Sequence, residues 1–188
     1  MEPSTRQQVK TIVEQLGDRF PENAKKAASK AIIDMIELGF STEEVLNMTP
    51  KMLNQLYRYA YKIFQGGKYK EAFGCFYFLR ELDPSSYRYN FCVAACHQYL
   101  KQYEEAAACY ILCSALSPDN PTPHFHLYEC FMQLNQPLSA LNALAGTIFL
   151  AGQSPHYAVL QARAQLEYES LEQQLRTKKI IKDVDKKA

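Results

Sequence analysis

Residues 53–86 read LNQLYRYAYKIFQGGKYKEAFGCFYFLRELDPSS, and this stretch decides the fold. Its first half has apolar residues at helical spacing and predicts a helix from about Pro50 to Gln65. Gly66-Gly67 then turn the chain, and a second helix is predicted over Tyr69 to Leu82. Asp83-Pro84 closes the unit, because proline lacks the N–H that a continuing helix needs.

The same pattern returns 34 residues later. In YRYNFCVAACHQYLKQYEEAAACYILCSALSPDN (87–120), Tyr103 takes the place of Tyr69, Ala106 of Ala72, Tyr110 of Phe76, Leu116 of Leu82 and Pro118 of Pro84. A weaker copy spans 121–154. There Ala140 and Leu144 keep their places, while Pro137 replaces the tyrosine and Gly152 the closing proline. A helix–turn–helix period of 34 with these features is the tetratricopeptide signature. Ala72, Ala106 and Ala140 are small enough to let the two helices of each unit approach closely. Phe76 and Tyr110 are expected to fill the space toward the next unit.

Three segments follow. Residues 1–52 form an N-terminal helical arm, 53–154 form three repeats (53–86, 87–120 and 121–154), and 155–188 form a C-terminal capping helix with a Lys-rich tail. The expected fold is all-α, a short superhelix of three repeats between arm and cap. In the arm, a weak helix with Val9, Ile12, Val13 and Leu16 precedes Pro21, and a stronger one runs from Ala24 to Leu38 and ends at Gly39. Ser41 and Glu44 have capping-box spacing and open a short helix to about Met48. The cap is predicted to reach roughly Lys179, with Val159, Leu160, Leu166 and Leu171 on its apolar face and the lysines beyond fraying.

Composition limits what such a scaffold does. The net charge is +1, with 21 basic and 20 acidic residues, and this argues against a nucleic-acid binder. No apolar run approaches the length of a membrane span, so stable membrane insertion is not expected. The start, MEPSTRQQVK, lacks the apolar core of a signal peptide, and a cytosolic protein with reduced thiols is expected. Nothing resembles a catalytic constellation or a Gly-rich phosphate loop, so neither an enzyme nor a cofactor is expected. Of the six cysteines, Cys92/Cys96 and Cys109/Cys113 are spaced four apart. Cys75 and Cys109 are equivalent repeat positions, as are Cys96 and Cys130, which is the behaviour of small packing residues rather than metal ligands.

Aromatic residues are the informative feature. Of 10 Phe and 13 Tyr, 17 lie between residues 53 and 128. In the first helix of unit one, Leu56, Tyr59, Ala60 and Ile63 form the face that holds the stack. The opposite face, Asn54, Tyr57, Tyr61 and Phe64, has intervals of 3, 4 and 3 and no partner within the repeats. The equivalent positions are Arg88, Phe91, Ala95 and Gln98 in unit two, and Thr122, Phe125, Glu129 and Met132 in unit three. A groove for an acidic C-terminus would be lined with Lys, Arg and Asn. This one is mostly Tyr, Phe and Ala, which suits an extended peptide with apolar anchors. Another protein, a second copy or the arm itself could cover the surface.

The residues just quoted also resemble a known family. LNQLYRYAYKIFQGGKYKEAFGCFYFLRELDP is similar to the first repeat of the class II chaperones of bacterial type III secretion, which carry translocator proteins. The preceding GFSTEEVLNMTPKMLNQLY resembles the segment those chaperones place before it. The likeness covers roughly residues 30–170 and is specific over 38–84. It implies a chaperone that holds a short extended segment of a hydrophobic, pore-forming client in the concave groove until secretion. It places the family's aromatic pocket on Tyr57, Tyr61, Phe64 and Tyr69, and it associates the N-terminal arm with homodimerisation. A generic repeat adaptor that bridges folded proteins is the alternative, and a redox sensor resting on the cysteines is a third.

Overall fold

A computed structural model describes residues 7, 11, 22–37 and 49–185, all in helices, turns and loops. The chain divides into two compact units, residues 1–101 and 102–188. Val9, Ile12, Val13 and Leu16 of the expected first helix, the Gly39 terminus and the Ser41–Glu44 cap lie outside the described residues.

In the first unit the helices are α1 (Glu22–Glu37), α2 (Pro50–Gln65), α3 (Tyr69–Leu82) and α4 (Tyr87–Tyr99). Thr49 starts α2: its hydroxyl accepts the Met52 N–H at 3.3 Å, and Pro50 occupies the first turn, where no N–H is needed. Met52, Leu56 and Ala60 are buried along one stripe of α2, while Tyr59 and Ile63 are only half-buried. Helix α3 is the centre of the unit, because α1, α2 and α4 all pack on it. That is why Ala72 through Phe76, Phe78 and Leu79 are all buried; a helix with neighbours on three sides has to be apolar nearly all round. Helix α1 packs on α3, buries Ile32, and reaches α3 with the Lys30 Nζ to Glu71 Oε2 ion pair at 2.9 Å. Buried Asn90 donates from Nδ2 to the carbonyls of Pro84 (2.8 Å) and Ser86 (2.9 Å), which ties the α3–α4 loop to the base of α4.

The second unit holds α5 (Tyr103–Leu116), α6 (Thr122–Gln133), α7 (Pro137–Ala151), a 3-10 turn (Pro155–Tyr157) and α8 (Ala158–Asp185). Successive helices pack pairwise, with α8 laid on α7. Ala106 and Ala140 are fully buried, as is Ala72 in the first unit. Tyr110 is also fully buried and stacks on His126 of the next repeat, with centroids 5.0 Å apart.

Helix α8 departs from expectation. Val159 is 85% exposed and Leu166 is 69% exposed, so neither belongs to its buried face. Ala164 and Leu171 are buried instead, flanked by Leu160, Tyr168 and Leu175, against Phe125, Ala140 and Leu144. The true stripe runs at intervals of 4, 4, 3 and 4, and its closest approach needs an alanine. The helix reaches Asp185 and so includes Lys182, past the expected end near Lys179, whereas Lys186 and Lys187 lie outside the described residues.

Candidate binding site

Helix geometry puts Tyr57, Tyr61 and Phe64 of α2 in one row. Tyr57 and Tyr61 stack with centroids 6.1 Å apart, and Tyr61 and Phe64 at 6.4 Å. The row continues beyond α2. Tyr69, the first residue of α3, meets Phe64 edge-on at 5.3 Å. Tyr99, the last residue of α4, stacks on Tyr69 at 4.7 Å and meets Phe64 edge-on at 5.2 Å. At the other end Tyr57 leans on buried Phe76 at 5.7 Å and on Tyr89 at 6.2 Å. Five rings from three helices thus form one continuous row. Tyr61 is 44% exposed and Tyr99 is 57% exposed, so the row is open to solvent at its middle and at its far end. Asn54 is exposed at the start of the same face.

Tyr57 is held from several sides. The Arg88 guanidinium lies 3.4 Å from its ring centroid, and the Cys92 thiol donates to its hydroxyl at 3.7 Å. Burial pushes the Tyr57 phenol above the ordinary tyrosine value, with Arg88 opposing. The ring therefore stays neutral at physiological pH and offers area rather than charge. On the rest of α4, Phe91 stacks on Tyr87 at 5.6 Å, and Ala95 and Gln98 are half-buried.

In the second unit the expected positions separate. Phe125 is 3% exposed and belongs to the core, where α8 covers it and the Arg163 guanidinium lies 4.7 Å from its ring centroid. Its placement on an open groove face is therefore corrected: the capping helix takes the surface that a ligand would need. Glu129 pairs with His126 Nδ1 at 2.9 Å and with Arg163 at 3.7 Å, while Met132 is exposed.

Tyr99 and Tyr89 were missed by the sequence reading. Following α4 at 88, 92, 95 and 99 instead of 88, 91, 95 and 98 would have reached Tyr99; both are helical, and only packing against Tyr69 chooses between them.

The cysteines are all free thiols; Cys75, Cys96, Cys113 and Cys130 are buried. Burial raises the Cys96 thiol well above its usual range and, helped by Glu129, pushes Cys130 up to about 12. Among the described residues no group of three or more His, Cys, Asp or Glu is arranged to hold a metal ion, and no helix is long and apolar enough to cross a membrane.

No family model matches the chain. Low calcium response locus protein H of Yersinia pseudotuberculosis is 29% identical over 134 residues, which is 71% of this chain and 80% of that protein. PcrH, a Pseudomonas aeruginosa protein solved in complex with the chaperone binding region of PopD, superimposes with a TM-score of 0.66 at 30% identity, covering 68% of this chain and 96% of that one. The type III secretion translocator chaperone SycD of Yersinia enterocolitica, solved also as an alternative dimer, gives 0.66 at 28% identity over 73% of this chain and 96% of that one. The likeness takes in nearly the full length of both solved chains and rests on sequence as well as shape. This chain belongs to the translocator chaperones of type III secretion.

Proposed function

We propose that this protein is a cytosolic, non-enzymatic chaperone that holds an extended segment of a hydrophobic translocator on its aromatic row. The observation that carries the reading is the open row Tyr57–Tyr61–Phe64–Tyr69–Tyr99, built from three helices, on a family member whose relative PcrH was solved with the chaperone binding region of PopD. Rigid rings offer large apolar area at small entropic cost, so apolar anchors of an extended chain fit here. A client with membrane-active segments exposes apolar surface that is unfavourable in water, and covering it until export prevents aggregation. In this reading 53–154 are the binding repeats, with Arg88, Phe91, Ala95 and Gln98 beside the row in the first unit and Met132 a binding residue of the second. Residues 1–52 are the arm through which two copies pair, and 155–188 are the cap.

Co-expression with the cognate translocator tests it. Tyr57→Ala with Tyr61→Ala should leave the helical circular-dichroism signal intact and weaken client binding at least thirtyfold, the cost of about 2 kcal/mol or more for two aromatic anchors. Unchanged binding sinks the groove assignment. One observation favours the adaptor reading: α7, PLSALNALAGTIFLA, carries no charged residue, and Leu138 and Phe149 are 70% and 69% exposed on it. Client binding that survives the tyrosine changes but is lost in Leu138→Asp with Phe149→Asp would support a partner on that face instead.

A further inference from the structure

We infer that the client segment held on the aromatic row carries an acidic side chain, and that Arg88 reads it. The inference rests on the proposed peptide-holding role and adds a polar requirement to the apolar one.

Arg88 differs from the other arginines that lie over rings. Arg80 sits over Tyr77 at 4.3 Å and also reaches Glu81 at 3.2 Å. Arg163 sits over Phe125 and also reaches Glu129. Arg88 sits closest of the three to its ring, at 3.4 Å, yet has no carboxylate within ion-pair distance among the described residues. Asp83, an acidic group acting on neighbouring Tyr89, accepts the Ser85 hydroxyl at 2.7 Å and is not within ion-pair distance of Arg88. Stacking on Tyr57, together with a hydrogen bond to its hydroxyl, orients the guanidinium and leaves its remaining N–H groups for a carboxylate.

The surrounding charge points the same way. Helices α2 and α4 supply most of the row, and their sequences PKMLNQLYRYAYKIFQ and YRYNFCVAACHQY contain Lys51, Arg58, Lys62 and Arg88 but no Asp or Glu. In a chain whose net charge is only +1, this is a local excess of positive charge with apolar rings in its midst. An extended segment with apolar anchors and one Asp or Glu beside them complements both features, and a segment with Lys or Arg at that place is repelled.

The test uses the full-length chaperone and a pool of acetylated, C-terminally amidated decapeptides with two fixed leucines and all other positions randomised. The bound fraction is sequenced for wild type, Arg88→Gln, Arg88→Glu and Tyr57→Ala/Tyr61→Ala. Arg88 is exposed, so its variants should fold, which circular dichroism verifies. Wild type should enrich Asp or Glu at one position relative to the leucines. Arg88→Gln should lose that enrichment but keep the apolar selection, and Arg88→Glu should shift it toward Lys or Arg. A selected peptide should lose about tenfold in affinity when its acid is changed to the amide, and little or nothing on the Arg88→Gln background. Apolar selection without an acidic preference, or an acidic preference untouched by Arg88→Gln, overturns this inference and leaves the groove reading standing. Binding confined to a parallel pool with free C-termini, and absent from the amidated one, assigns Arg88 to a terminal carboxylate and overturns the side-chain version. A bound pool unchanged by Tyr57→Ala/Tyr61→Ala, or no selection at all, overturns both.

Discussion

Three turn residues show how strongly the repeat constrains single positions. Gly67, Lys101 and Asn135 are spaced 34 apart, and they have φ of 77°, 61° and 55°. Each follows the first helix of its repeat, and each donates its N–H to the carbonyl three residues back, those of Phe64, Gln98 and Met132. The backbone needs a left-handed residue there, which glycine supplies without strain, asparagine tolerates and lysine resists. Gly67→Ala meets no neighbouring atom within 4 Å, so its cost is conformational alone, about 1 kcal/mol. Lys101→Gly should stabilise by about 0.5–1 kcal/mol, and Asn135→Gly should change stability less. Urea denaturation of the three variants checks the order; destabilisation by Lys101→Gly would refute the strain argument. Only the glycine announced its turn in the sequence. Lys101 carries no local sign of a left-handed backbone and is recognised only through the 34-residue register.

At the scale of elements, α2 and α3 were legible because they are strongly amphipathic or strongly apolar and are bounded by Thr49-Pro50, Gly66-Gly67 and Asp83-Pro84. Helix α8 was legible as a helix but not in its orientation. Its apolar residues fit two stripes at helical spacing, one through Val159 and Leu166 and one through Leu160, Ala164 and Leu171. Hydrophobicity favours neither, since alanine scores low although its small size is what lets α8 settle on α7. The partner surface decides, together with the Tyr128 hydroxyl donating to Glu167 at 2.9 Å and the Arg163–Glu129 pair. Leu171→Ala should therefore cost about 2–4 kcal/mol, by lost burial and a residual cavity, while Leu166→Ala should stay within about 0.5 kcal/mol. Thermal or chemical denaturation separates the two, and equal effects would return α8 to the other face. The same covering explains Phe125: the repeat register gives it the position of a groove residue, and α8 buries it.

Across the whole molecule the six thiols report the packing. Cys75, Cys96, Cys113 and Cys130 are buried, and the raised values of Cys96 and Cys130 keep them protonated. Thiolate is the reactive form, so a raised value leaves it scarce from neutral pH to well above pH 8. Alkylation of the native protein at pH 8 followed by peptide mass spectrometry should leave those four unmodified on a time scale that labels all six after unfolding. Rapid native labelling of Cys96 or Cys130 would contradict the described core. The 34-residue period, the helix ends at proline and glycine, the close-packed alanines and the aromatic face of α2 were determined by the sequence itself, because each depends on local backbone chemistry or on spacing along one helix. The tertiary structure alone decided which stripe of α8 is buried, that Phe125 is core, and that Tyr99 joins the row of α2. Those outcomes depend on which surfaces meet, and residues far apart in the chain compete for the same contacts.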